Sequence, residues 1–153
     1  MYLDVWIKRH EGKRNHAYKD TRGIWTVGYG CTGPDIGPDT FWPDEKCEAR
    51  FAQARDLAIT EAQNVVGPIF TSLLNQGSAR AAVICDLSFQ IGGAGLAEFK
   101  NMIEDIRSEA WVDAAHAMLS GVGALPSRLL RQTPRRALEN AATLIENKFL
   151  GLG

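Results

Sequence analysis

The feature that most constrains this chain is a change of period at Gly12. Before it, Leu3, Trp6, Ile7 and His10 fall at helical spacing, so a short first helix is predicted that the glycine ends. After it, Tyr18, Trp25, Thr26, Val27 and Tyr29 are residues that favour strands. Between them, D-T-R-G puts Asp at the first and Gly at the fourth position of a type I turn. Asp20 is therefore expected at the tip of a β-hairpin, and Glu11 at the foot of the helix that precedes it.

Everything beyond this hairpin reads as loop or helix. Residues 33–43 (GPDIGPDTFWP) are rich in Gly, Pro and Asp and read as loop. Pro43, Asp44 and Glu45 open a helix of about 24 residues with suitable first-turn chemistry. Its apolar stripe is Cys47, Phe51, Ala54, Ala58, Ala62 and Val65, and it runs to Gly67 as a strut between lobes. The stretch SARAAVICDLSFQIGG starts at Ser78 as N-cap, is apolar nearly all round at 81–85 and is expected to stop at Gly92-Gly93, a central buried helix. A short helix from Phe99 to Ile106 follows. Ser108 is then expected to cap a helix with Trp111, Ala114, Ala115 and Met118 on one face, ended by Gly121. GVGALP reads as loop, and residues 125–131 as one or two turns. Thr133 caps a last helix with Pro134 at its first position and Leu138, Ala141, Ala142, Ile145 and Phe149 inward. The sum is an α+β fold, mostly α, with a small β-hairpin lobe and a larger helical lobe.

Composition excludes several classes. A chain of 153 residues with 45% hydrophobic and 23% charged residues reads as one globular domain, or one pinched into two lobes. No apolar run reaches the roughly 20 residues that a membrane helix needs. The N-terminal stretch has acidic Asp4 where a secretion signal wants basic charge, so the chain is expected to start in the cytoplasm. Cys31, Cys47 and Cys85 are widely spaced, with no C-x-x-C pair, and suit a reducing compartment. No metal site or cofactor is expected. The net charge of −1 divides as +3 over residues 1–22, −7 over 23–127 and +3 over 128–148. If the two ends meet, they place basic charge beside Glu11 and Asp20. A nucleic-acid partner is not expected, because the basic ends lack interleaved exposed aromatics.

Two carboxylates nine residues apart are weak on spacing alone, since 18 of the 153 residues are acidic. Asp at the first position of a turn needs no further reason. Glu11 is different: a negative charge at a helix C-terminus is disfavoured by the macrodipole, and that mismatch points towards function.

The longer string is far more specific. E-G-x-R-x-x-x-Y-x-D-x-x-G-x-x-T-x-G-x-G, read here as Glu11-Gly12, Arg14, Tyr18, Asp20, Gly23, Thr26, Gly28 and Gly30, resembles the phage lysozyme family, the T-even-phage type of muramidase in glycoside hydrolase family 24. Downstream, RAAVICDLSFQIGGAGLAEFKN (80–101), WVDAAHAM (111–118) and RQTPRRA (131–137) look like the family's central helix, Trp-containing helix and Thr-Pro-capped final helix.

The resemblance implies a single lysozyme-like domain over 1–153. Its β-containing lobe would span about 13–60 and its helical lobe about 1–12 and 61–153, with a peptidoglycan cleft between them. It implies Glu11 as general acid, Asp20 as the opposing carboxylate and Thr26 as the residue that positions water, one carboxyl protonated and one ionised. It places Arg136 beside Glu11, and it assigns Gly30, Thr32, Phe89, Gln90, Asn101 and Arg136 to substrate contact. Phe89 read alone belongs to the core. Gly28 and Gly30 permit close backbone approach, to sugar or to the neighbouring strand.

Two departures stand out: Cys31 occupies a place where the family often has His, and the chain is near neutral where many relatives are basic. The implied activity is hydrolysis of the β-1,4 bond between N-acetylmuramic acid and N-acetylglucosamine by a monomer, without cofactor. Access to the wall would then depend on a separate hole-forming protein, the enzyme passing from host cytoplasm to periplasm and wall. Rival readings are a lytic transglycosylase or a catalytically silent wall-binding module.

Overall fold

The structure is a computed structural model, and it describes residues 1–120 and 127–150. The elements are α1 (Leu3–Glu11), β1 (Arg14–Lys19), β2 (Trp25–Gly28), α2 (Asp44–Val66), α3 (Pro68–Asn75), α4 (Ala79–Ala97), α5 (Lys100–Arg107), α6 (Trp111–Ser120), α7 (Arg128–Gln132) and α8 (Pro134–Glu146). This is the expected α+β, mostly α, architecture with one small antiparallel sheet. The 121–126 loop expected from the sequence lies outside the described residues.

α4 is the axis of the core. Its residues Ala81 through Ser88 are all buried, and it packs against α1, α2, α3 and α8. Its own Ile84 and Leu87, with Trp6 from α1, Phe51 from α2 and Phe70 from α3, lie at 0–1% exposure. Each such side chain contributes about 1.5–3 kcal/mol of transfer free energy, an upper bound. Two arginines tie helix ends to this core. Arg80 donates to the carbonyls of Leu144 and Ile145 at the end of α8, and Arg107 to those of Val65 and Val66 at the end of α2. In both cases a cation meets carbonyls that have no intrahelical partner.

The hairpin pairs Tyr18 with Thr26 and Lys19 with Trp25, but the register slips before Arg14 meets Gly28. The slip has a cause. Residues 15–17 turn their backbone to a second partner: Ala17 N–H donates to the Thr40 carbonyl and Trp42 N–H to the Asn15 carbonyl, with His16 opposite Phe41. The loop expected over 33–43 thus ends in a rudimentary third strand.

Four local expectations are corrected. α4 does not stop at Gly92-Gly93. It breaks at Gly92 and continues to Ala97, and Glu61 of α2 accepts the Gly93 N–H at the break. Ser108 is the C-cap of α5 and not the N-cap of α6. Thr133 stands at the N-cap of α8, but its hydroxyl donates back to the Leu129 carbonyl instead of capping. The inward face of α8 is Ala137, Asn140, Ala141 and Leu144, whereas Leu138 and Ile145 are 53% and 39% exposed. A search for apolar spacing misses that face because one of its central residues is a buried asparagine.

Candidate active site

Glu11 is the last residue of α1, and Gly12 turns the chain away with its N–H on the Lys8 carbonyl. β2 then ends in a tight reversal in which Val27 and Cys31 exchange two backbone hydrogen bonds. That reversal brings Gly30, at φ 74°, under the Glu11 carboxylate. A β-carbon built on Gly30 would lie 2.6 Å from Glu11 Oε2. The glycine is needed for its own chain's acid. A β-carbon on Gly28 would likewise press against the Trp42 ring, 3.1 Å from Cε3, while the Gly28 backbone pairs with Arg14 of the neighbouring strand.

From the other side comes α8. Arg136 Nη1 lies 2.8 Å from Glu11 Oε1. The same guanidinium donates through Nε and Nη2 to Asp86 on α4, at 3.0 and 2.7 Å. Asp86 is fully buried and also accepts from Asn140 Nδ2 at 2.8 Å. Asn140 Oδ1 in turn accepts from Trp6 Nε1. His10 completes the cluster, with Nδ1 3.5 Å from Asp86 Oδ2 and Nε2 2.9 Å from Glu139 Oε2. The first of these is an ion-pair distance and not a well-formed hydrogen bond.

The two basic end segments do meet beside Glu11, through Arg9, Arg135 and Arg136. They do not make a free basic patch there, because Arg9 and Arg135 pair with Glu139, and Arg136 with Glu11 and Asp86.

The two carboxylates of the motif have opposite surroundings. Burial pushes the Glu11 pKa up; Arg136 and His10 pull it down, Asp86 raises it further, and the net shift is upward. Asp20 lies at the hairpin tip with Oδ1 accepting the N–H groups of Ile24 and Arg22 at 2.9 and 2.8 Å. Those amides, Ile24 first, together with the nearby Arg22 charge, hold Asp20 below the ordinary carboxylate range.

Thr26 is 4% exposed on β2, and its hydroxyl donates to the Ile24 carbonyl at 3.0 Å. One peptide residue, Ile24, therefore links Asp20 to Thr26. With its proton committed, the threonine oxygen is left as an acceptor towards any water beside it.

The remaining candidates divide. Gln90 Nε2 donates to Thr133 Oγ1 at the start of α8. Phe89 is half-buried against Phe51, with ring centroids 5.5 Å apart, so it serves the edge of the core. Thr32 and Asn101 are exposed and share no hydrogen bond with the others. Arg136, 10% exposed with all three nitrogens engaged, is turned to Glu11 and Asp86. Cys31 is half-buried, near Arg50 and Glu11, and burial raises its thiol pKa.

The sequence reading missed Asp86 and Asn140. The available signal was a lone acid, Asp86, in the middle of an apolar helix with no charged neighbour between Arg80 and Glu98.

Comparison with known proteins identifies the family. A model of the Phage lysozyme family matches residues 8–139. The chain is 29% identical over 140 residues to the endolysin of Salmonella phage P22, covering 90% of this chain and 92% of that one. It is 24% identical over 157 residues to the probable T4-type lysozyme 2 of Dictyostelium discoideum, covering 88% of each. A 60-residue stretch is 37% identical to the probable prophage lysozyme of Escherichia coli strain K12, covering 37% of this chain and 34% of that one. The matched region runs from the residues just before Glu11, through the hairpin and Asp86, to the start of α8; the chain belongs to the phage lysozyme family.

Proposed function

We propose that this family member, a glycoside hydrolase, is an endolysin that cleaves the β-1,4 bond between N-acetylmuramic acid and N-acetylglucosamine with inversion at the anomeric carbon. The observation that supports it is the division of the two carboxylates: Glu11 is half-enclosed with its pKa raised, whereas Asp20 is held ionised by backbone amides. A pair split in this way supplies an acid and an anion at the same pH.

Glu11 protonates the glycosidic oxygen as the bond to the leaving sugar breaks. Asp20 faces the developing positive charge on the sugar ring and helps to orient the attacking water, whose proton Thr26 Oγ1 accepts as a hydrogen bond. The water attacks from the face opposite the departing oxygen and gives up a proton to the Asp20 carboxylate as its bond to the anomeric carbon forms, so the configuration inverts. Glu11 keeps its place because Arg136 fixes one oxygen and Gly30 leaves room for the other.

Delivery is part of the proposal. The enzyme accumulates in the host cytoplasm and reaches the wall through a separate hole-forming protein. The deciding experiment digests purified peptidoglycan and weighs the products. Muropeptides with a reducing-end muramic acid support hydrolysis. Products lighter by one water, with a 1,6-anhydro ring, assign the chain to the transglycosylases, and no products at all leave a wall-binding module.

A further inference from the structure

We propose that Asp86 is a positioning residue for the proton donor: it occupies two of the three guanidinium nitrogens of Arg136 and leaves Glu11 only the third. The proposal rests on Glu11 being the catalytic acid, and it concerns how that acid is kept protonatable beside an arginine.

Arg136 meets Asp86 through Nε at 3.0 Å and Nη2 at 2.7 Å, and Glu11 through Nη1 at 2.8 Å. A two-nitrogen fork is the strong arrangement, and it fixes the guanidinium plane. Here the fork belongs to Asp86. Its anchor is rigid, because Asp86 is fully buried on the central helix and is itself held by Asn140, which Trp6 holds in turn. Arg136 therefore lacks the freedom to swing round and grip both oxygens of Glu11, a grip that would hold the acid ionised.

The charges around Glu11 point the same way. Arg136 faces it from α8, His10 from its own helix, Cys31 from the turn after β2, and Asp86 from α4. The negative charge of Asp86 opposes the positive charge of Arg136 at the donor. Glu139, on the far side of His10, anchors the imidazole at 2.9 Å and takes Arg9 and Arg135 as its own partners.

The test is the Asp86→Asn protein, with Glu11 titrated by carboxyl-carbon NMR beside the wild type and activity on isolated peptidoglycan measured across pH. An amide at position 86 turns an N–H towards at least one of the donors that converge on the carboxylate, and so releases the guanidinium to Glu11. Glu11 should then titrate about one pH unit lower, and the basic limb of kcat should fall by the same amount. An unmoved Glu11 titration and limb, with only a lower melting temperature, overturns the proposal and leaves Asp86 a structural acid.

If Asp86→Asn does not fold, the Arg136 Nε–H resonance of the wild type decides. It should exchange slowly and hold its position while Glu11 titrates, because its partner is Asp86; rapid exchange, or a shift that follows Glu11, overturns the proposal. The NMR titration needs no turnover. A shifted Glu11 in a protein that leaves walls uncut refutes the glycosidase reading alone, and an unshifted Glu11 in an active enzyme refutes this one alone.

Discussion

Gly30 lies directly beneath Glu11, so close that a β-carbon on the glycine would stand 2.6 Å from the acid's Oε2, while Oε1 is held 2.8 Å from Arg136. The first helix and the turn after β2 thus meet at one carboxylate, and the space around it is set by the absence of a single side chain.

Gly30→Ala separates two effects at that point. The positive φ costs an alanine about 1–2 kcal/mol, which thermal or urea denaturation reads as a modest loss of stability. The collision itself falls on the movable end of Glu11, so wall hydrolysis should drop about 100-fold through misplacement of the donor. Activity that falls no further than stability would mean that the contact does not position Glu11.

Arg136→Ala should shift activity in the direction opposite to Asp86→Asn. Arg136 lowers the Glu11 pKa, so its loss raises that pKa. The acid then stays protonated to higher pH, and the basic limb of the activity profile moves up. Two buried or half-buried carboxylates lose their counter-charge in this variant, which costs about 3–5 kcal/mol. A pH profile at low temperature checks the first effect and a melting curve the second.

Thr26→Val keeps the shape of the side chain and removes the acceptor oxygen. With KM nearly constant, kcat should fall about 100-fold, while Thr26→Ser should recover much of it. Equal activity in Val and Thr proteins would release Thr26 from any role with water.

The inward face of α8 offers a stability contrast. Asn140→Ala orphans the Trp6 indole N–H and removes one of the two donors on Asp86 Oδ2, leaving that oxygen to Arg136 Nε alone, at a cost of about 2–4 kcal/mol. Leu138→Ala, on the exposed side, should change stability by about 0.5 kcal/mol or less. Urea midpoints of the two variants, measured at constant slope, give the comparison.

How much of this was legible in the sequence depended on the range of the forces involved. The end of α1 at Gly12, the hairpin around Asp20 and the start of α2 after Pro43 are set by local backbone chemistry, and the sequence placed all three within a residue or two. The neighbourhood of Glu11 and Arg136 was implied only by the family resemblance, Glu11 through the motif over 11–30 and Arg136 through RQTPRRA over 131–137. Asp86 and Asn140 were not legible, because their value lies in each other, 54 residues apart, and in an indole from a third helix. Their polarity hides them from any search for an apolar stripe. Ser108 and Thr133 misled for a related reason: a hydroxyl that suits an N-cap also suits a helix end or a backward bond to a carbonyl.

The most direct test of the central claim, that Glu11 is the proton donor, is the rate at which folded Glu11→Gln protein clears cell walls. Gln nearly keeps the shape and cannot donate an acid proton, so the rate should fall by about 10²–10⁴ or more. Stability should not fall with it. The folded-state pKa of Glu11 is raised, so its ionised form works against folding at pH values above that pKa, and neutralising it at a helix C-terminus gains up to about 1 kcal/mol at neutral pH; the lost Arg136 pair reduces that gain. The account predicts a protein at least as heat-resistant as the parent, within error, and nearly inactive. A well-folded Glu11→Gln protein that clears walls at the parent rate would contradict it.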